Sequence, residues 1–590
     1  MLFRSRQGRR DELIAVKTPL GWTLFGNVDN GHCDTVNANF LVTDQETQLQ
    51  KRIERFWEID SYATKQAPSD SGMSAEDRRA LSILESSTVK EEGHYKTALL
   101  WKGEPNLPNN RAMAVSRLHS TERKLKKNPE LARKYQDVIN SYISKGHAKK
   151  LTPEESKGMT SKTWYLPHHA VLNPNKPGKV RVVFDAASKY GRVCLNDKLL
   201  TGPDLLNNLV GILMRFRSGK IGIMADVEQM FHQVGVCEED RDSLRFLWRD
   251  LDETRLPDEY QMTVHVFGAV DSPCCANYAL QRTALDQSEK FSKDAVHAVL
   301  RNFYMDDLLS SKPNSDGATN LAKQLIELLA TGGFRLTKWM SNSREVLAAI
   351  PSSEVACNTV DLDCNELPQE RALGVKWYTE QDFLCLQPVK SGFPDTKRGI
   401  LSAASSVFDP LGFAAPYVIK AKLIIQELWR RQIDWDEELP DEILQGWQSW
   451  KDGLKSSQII AVPRWYGFHR DECQDVQLHV FCDALEIAYG AVAYFRTISC
   501  GRVNVSFIMS KTRLAPIKTL TIPRLELQAA VIAVRLKSKI LEEIDFEVDD
   551  MYLWSDSEIV LHYIRNTHRR FSVYVSHRVA EITSNSDVRK

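Results

Sequence analysis

Three acids stand out for their setting. Asp306 and Asp307 are adjacent in Asn302-Phe303-Tyr304-Met305-Asp306-Asp307-Leu308-Leu309, with the apolar run Ala298-Val299-Leu300 just before. Alternation along a strand would bury one of two neighbouring acids, so the segment is expected to be a hairpin whose turn carries them. Asp226 closes a second apolar strand, Ile221-Gly222-Ile223-Met224-Ala225-Asp226. Like charges brought together need a cation, and oxygen-only ligation suits Mg²⁺, with Mn²⁺ as the alternative ion. Three carboxylates holding two such ions stabilise both the attacking and the leaving oxygen of phosphoryl transfer. A second set of acids lies downstream. Val476, Leu478 and Val480 alternate along a strand that ends at Asp483; Glu526 falls near the start of a helix expected from Pro523 to Ile544; Asp556 follows the short strand Met551-Tyr552-Leu553-Trp554.

A lone Asp-Asp is most simply a solvated turn, but other blocks occur in a fixed order around this one. Upstream are Lys179-Val180-Arg181-Val182-Val183-Phe184-Asp185, Leu195-Asn196 and Phe267-Gly268 with Ser272-Pro273. Downstream are Gly333-Phe334-Arg335-Leu336-Thr337-Lys338-Trp339 and Leu373-Gly374-Val375-Lys376-Trp377. With Tyr304-Met305-Asp306-Asp307 and Asp226, this series resembles the palm of reverse transcriptases. The wording of the blocks, including Phe408-Asp409-Pro410-Leu411-Gly412, is similar to the polyprotein of BEL/Pao-type LTR retrotransposons.

The resemblance implies an α+β right-hand polymerase (fingers, palm and thumb) followed by an α/β ribonuclease H-like domain. It implies RNA-directed DNA synthesis from dNTPs on an RNA or DNA template, with a DNA primer and an RNA–DNA hybrid as further partners. Asp226, Asp306 and Asp307 would bind metal, with Tyr304 and Met305 beside the nucleotide. Arg181 and Lys179 would sit over the triphosphate, where a guanidinium grips phosphate bidentately; both also read as hairpin surface charges. Phe231 matches the aromatic that excludes a 2′-hydroxyl, and reads equally as a core phenylalanine. Lys338 matches a proposed general acid for pyrophosphate, and reads also as a salt-bridged strand lysine. Gly374, Val375, Lys376 and Trp377 match the primer grip. Asp483, Glu526 and Asp556 match three of the four acids of ribonuclease H.

At 590 residues the chain is expected to hold several domains. We expect 1–30 to be the tail of a retropepsin-like protease region whose Asp-Thr/Ser-Gly signature is missing, and 31–110 a linker with short helices. Fingers and palm follow over 111–345, primer grip, thumb and connection over 346–470, and the ribonuclease H-like domain over 471–590. That last domain is expected to be C-terminally incomplete, with Asp587 a terminal surface residue rather than the fourth acid. A second strand pair is expected around Gly268 and Ser272-Pro273; Asp271 has no evident role. Tryptophans 429, 435, 447 and 450 read as core of an amphipathic helical region.

Lys+Arg and Asp+Glu both number 77, so overall charge does not mark a nucleic-acid binder. Charge is uneven, though: residues 111–150 hold 11 Lys/Arg against 3 Asp/Glu. That run is a phosphate-tracking face or a solvated pair of helices. The 11 cysteines include no CxxC pair and read as free thiols in a reducing compartment. We therefore expect a cytoplasmic protein, within virus-like particles or reaching the nucleus, that has no membrane partner. The rest of a retrotransposon polyprotein, protease and integrase, is the remaining expected partner. The rival function is a catalytically inactive, host-adopted copy that binds RNA or protein.

Overall fold

The computed structural model describes residues 73–172, 180–356, 375–386, 392–456, 461–566 and 568–587, the strand backbones at 4–6, 14–18, 21–25 and 370–372, and scattered helical residues between 50 and 62. Lys179 and Gly374 lie outside the described residues. The chain forms two compact units, Met1–Arg52 and Ile53–Lys590. The first holds an antiparallel sheet of Arg4–Arg6, Ile14–Thr18 and Gly21–Phe25.

In the second unit, the four-stranded sheet expected as the palm runs in the order Phe303–Tyr304, Asp307–Lys312, Ile221–Val227, Leu336–Ser341, all pairs antiparallel. Ile223, Ala225, Leu308 and Leu336 face a core built with helices Ser272–Asp286, Lys293–Arg301 and Ser315–Ala330. Ala298-Val299-Leu300 thus lies on a helix, not a strand, and the hairpin begins only at Phe303.

Ser272-Pro273 opens a helix rather than joining a strand pair. Proline at the first helical turn fixes φ where an N–H would lack a partner anyway, so it starts the helix cleanly. The expected linker is also corrected in part. Helix Ala75–Ser87 and the hairpin Val89–Glu91/His94–Thr97 belong to the fold, because Leu84, Tyr95, Leu99 and Leu100 are buried and Gly235–Val236 pairs in parallel with Lys96 and Thr97.

Helices Arg111–Lys126 and Pro129–Ser144 occur as the sequence suggests, and the Asn128 side chain accepts from the Leu131 N–H at the second start. Seven of the 11 cations in 111–150 pair with carboxylates: Arg111, Arg117, Lys126, Lys134, Lys145, Lys149 and Lys150. Most of that basic run is therefore neutralised locally.

Three helices, Lys397–Ser406, Ala415–Arg430 and Asp441–Ser456, follow the palm. Trp447 and Trp450 are buried and stack 5.0 Å apart, as core. Trp429 is half exposed and, with Trp435, brackets the buried Lys397 ammonium.

The last sheet runs Arg502–Leu514, Ala488–Ser499, Asp475–Ala484, Asp550–Ser555, the final pair parallel. Helix Ile522–Glu543 covers one face. A further helix, Val573–Ser584, was not legible in the sequence; it buries Val575 and Ile582 and ties Glu581 to Arg535. Asp587 is exposed beyond its end.

Candidate nucleotidyl-transfer and ribonuclease sites

Antiparallel register sets the first site. Asp307 lies directly opposite Asp226, and Asp306 precedes it in the turn, where Met305 takes φ +54°. The Asp306 carbonyl accepts from the Val227 N–H at 2.8 Å, locking the turn against the neighbouring strand. Like charges facing each other across strands are destabilising unless a cation intervenes. Lys338 supplies one: its Nζ lies 2.6 Å from Asp226 Oδ2.

Its reach depends on a β-bulge. Thr337 pairs with Asp226 and Met340 with Met224, so one extra residue is inserted, and Lys338 takes φ +56°. A bulge turns its side chain away from the regular pleat. Asp306 is exposed at the turn tip but ringed by protein. Desolvation raises its pKa, Asp226 adds to the rise, and Lys338 and Arg181 oppose it.

Arg181 therefore acts on the acids from the hairpin His168–Leu172/Val180–Phe184, where it is exposed opposite Val171. Gly268 explains why that hairpin comes so close. It takes φ +119°, and any Cβ there would collide with the Phe184 carbonyl oxygen. The Phe184 N–H donates in turn to the Phe267 carbonyl. Asn196 clamps the same turn, giving its amide N–H to Gly268 O at 3.0 Å and accepting from the Val270 N–H at 3.1 Å. The sequence marks Leu195-Asn196 and Phe267-Gly268 as blocks but does not reveal that they meet. Phe231 is buried, in a 3₁₀ turn, with its ring 4.6 Å from that of Phe267. Met305 Sδ contacts the Asn277 amide, and Tyr304 is half-buried against the core.

At the expected primer grip, Val375 and Trp377 point into the core. Trp377 Nε1 donates to Asp382 and its ring meets Phe216 edge-on at 5.0 Å. Lys376 faces the other way, its ammonium 4.3 Å from the Tyr378 ring centre.

The second set of acids is also placed by register. Cys482 and Ser555 are the last partners of the parallel pair, so Asp483 and Asp556 each lie one residue beyond. Both are exposed, and both charges push the Cys482 thiol up, after burial itself. Glu526 accepts from the hydroxyl of Ser557, the residue after Asp556. Asp483 and Asp556 line a cleft of about 880 Å³ with Phe413, Phe481, Tyr494 and Trp554. On the open sheet face, the rings of Phe481 and Trp554 stack at 5.9 Å and those of His479 and Tyr552 at 5.0 Å. Flat, partly exposed rings of this kind suit stacking with bases or sugars.

The two sites share one helix. Glu526 lies near the start of Ile522–Glu543, and Glu543 ends it against the palm. There its carboxylate takes the Arg215 guanidinium at 2.5 Å, while Arg215 also donates to Asn302, just before the acid hairpin. Gly211 leaves the room that the Glu543 carboxylate occupies.

Residues 396–557 match the family model described as the Pao retrotransposon-like RNaseH-like domain. Among solved structures, the chain is similar to that entitled "Structure of the foamy viral protease-reverse transcriptase dRH in complex with ds DNA." The TM-score is 0.50 at 15% identity, over 90% of this chain and 79% of the other. It is also similar to the foamy viral protease-reverse transcriptase in complex with RNA/DNA hybrid, with a TM-score of 0.46 at 13% identity, over 90% of this chain and 61% of that one. No curated protein matches the chain by sequence. Residues 396–557 are thus similar to the RNaseH-like domain of Pao retrotransposons, and the chain shares its fold with the solved foamy viral protease-reverse transcriptase.

Proposed function

We propose that the chain is an RNA-directed DNA polymerase of a Pao-type retroelement, extending a DNA primer with dNTPs on an RNA or DNA template. The observation that carries this reading is the cross-strand pair Asp226 and Asp307, with Asp306 beside it in the turn, at one end of a sheet. Asp226, Asp306 and Asp307 would hold Mg²⁺, which supplies charge neutralisation at the attacking and leaving oxygens. Arg181 grips the incoming phosphates from the hairpin above. Lys338, aimed by its bulge, carries a proton within reach of departing pyrophosphate. Phe231, braced by Phe267, gives the sugar pocket a rigid wall. Lys376 offers a cation to the primer backbone, while Val375 and Trp377 hold its strand in place. Such backbone contacts position nucleic acid without reading sequence.

In the second site Asp483, Glu526 and Asp556 form the matching oxygen cluster for hydrolysis of the RNA strand of a hybrid. The exposed rings of Phe481 and Trp554 flank the cleft that would receive it.

The test is primer extension on a homopolymer RNA template with Mg²⁺. Asp306→Asn removes one charge with little change in volume. Extension is expected to fall by about 10²–10³-fold or more, as for loss of one group that stabilises transition-state charge. Unchanged extension by a variant with a native circular dichroism spectrum would refute the assignment.

A further inference from the structure

On either side of the Phe267–Gly268 turn in the chain, three side chains of different chemistry converge. One ligand atom from each of His265, Asp271 and Cys275 lies within 4.8 Å of the other two, and all three residues are fully buried. Asp271 and Cys275 are four residues apart at the start of helix Ser272–Asp286, so they share a face; His265 enters from the preceding loop. Two polar atoms in this cluster have no hydrogen-bond partner, His265 Nδ1 and Asp271 Oδ1. Orphaned polar atoms this deep are costly to leave without a partner. Their partner atoms, in contrast, are tied down. His265 Nε2 is 2.7 Å from Thr97 Oγ1, and Asp271 Oδ2 accepts from the Leu100 N–H at 3.2 Å.

We propose that His265, Asp271 and Cys275 form a structural transition-metal site whose natural occupant is Zn²⁺. Nitrogen, oxygen and sulfur donors together suit zinc, and not the hard Mg²⁺ of the oxygen-only clusters. The Thr97 contact fits the same role: a hydroxyl accepting from Nε2–H fixes the tautomer that leaves a lone pair on Nδ1. On binding, the Cys275 thiol loses its proton to solvent and the Asp271 carboxyl ionises. One thiolate and one carboxylate against Zn²⁺ leave the buried site without net charge, which meets the requirement that buried charges be paired. A water would complete a four-coordinate shell. The metal would join the loop bearing His265 to the start of helix Ser272–Asp286, and the site does not depend on either catalytic assignment.

The test uses the full chain, stripped with chelator and reloaded with Zn²⁺ or Co²⁺. The wild type should retain about one tightly held zinc after gel filtration, and its melting temperature should rise on reloading. The cobalt form should show a thiolate-to-metal charge-transfer band, which the carboxylates of the two acid sites cannot give. Cys275→Ser should lose the band and the bound zinc. Cys274→Ser, whose thiol is also buried but lies outside the cluster, should keep both. A wild-type chain with no charge-transfer band overturns the proposal whether or not the variants fold. So does a folded Cys275→Ser chain that binds zinc as the wild type does.

Discussion

The buried ion pair between Arg215 and Glu543 gives the most direct test of how the palm and the ribonuclease H-like domain are joined. The two side chains are 3% and 11% exposed, and the pair is 2.5 Å apart. Desolvation is the largest influence on Arg215 and pulls its pKa down; Glu543 opposes it. The pair is therefore costly to bury and costlier to break. Removing one partner of a buried pair typically destabilises by about 3–5 kcal/mol, because the other charge is left without compensation. Arg215 would still donate to Asn302 Oδ1 and to the carbonyls of residues 301 and 543, so Glu543→Ala belongs at the low end, about 3 kcal/mol. Glu543→Gln keeps an acceptor and should cost about 1–2 kcal/mol. The double variant Arg215→Met/Glu543→Leu removes both charges and should lie within about 1 kcal/mol of wild type. With the single variants Arg215→Met and Glu543→Leu the cycle is complete, and equilibrium urea unfolding followed by tryptophan fluorescence reads its four members. The coupling should be at least about 2 kcal/mol, whereas independent sites would add to within about 0.5 kcal/mol. Additive effects, or a loss below about 1 kcal/mol for Glu543→Ala, would show that the domains are not joined through this pair.

Phe231→Ala should raise incorporation of rNTPs relative to dNTPs in single-nucleotide extension, at a stability cost of about 3–5 kcal/mol for the lost packing on Phe267; a flat ratio with the same stability loss would leave Phe231 a core residue only. Asp483→Asn should abolish Mg²⁺-dependent cleavage of an RNA–DNA hybrid while primer extension stays within about twofold of wild type, as expected for removal of one carboxylate from one cluster; cleavage that persists would remove Asp483 from the site. Asp409 gives a pH prediction: burial pushes its carboxyl up to about 6, against N–H bonds from Ala414 and Phe413. A folded pKa above the unfolded one means that this group's stabilisation is full below the unfolded value and is lost as pH rises through about 6. Wild-type stability, measured relative to Asp409→Asn, should accordingly fall by about 2 kcal/mol between pH 4 and 7; a difference that stays constant or rises over that window would refute the assignment.

The acids were legible because strand alternation and turn chemistry are local. Asp226 and Asp483 end apolar strands, and Asp306 sits where a hairpin must turn. Lys338 was readable as a strand lysine but not as the partner of Asp226, since a one-residue bulge with a left-handed φ leaves no mark when its residue is lysine. Asp271 had no meaning in the sequence because its partner, the Leu100 N–H, comes from a segment that looks like a linker. That segment looked so because Val89–Glu91 is wholly exposed and carries no alternation. Helix Val573–Ser584 was missed for a related reason: its buried residues are few, and much of its anchoring is polar, as in Arg535 with Glu581.

The family match starts at residue 396, well before the first ribonuclease H-like strand at Asp475, and the packing explains why. Within Phe408-Asp409-Pro410-Leu411-Gly412, the Asp409 carboxylate accepts from the Phe413 and Ala414 N–H groups and so starts the next helix. The Leu411 carbonyl then takes the Ser510 N–H, and the Ser510 hydroxyl donates to Gly412 O at 2.7 Å. Gly412 has φ +77°, and a Cβ there would meet the Ser510 carbonyl, so only glycine lets the two backbones approach this closely. On the palm side, Arg217 is fully buried and donates to the carbonyls of Phe507 and Ile508 in the same strand. One strand, Arg502–Leu514, is thus gripped by the thumb at Ser510 and by the palm at 507 and 508. Val476, Leu478, Trp377 and Met224 share a single apolar core, which a tethered and independent nuclease would not produce. The block Phe408-Asp409-Pro410-Leu411-Gly412 within the matched region is therefore a docking joint, and its glycine and aspartate are explained by backbone geometry rather than by catalysis.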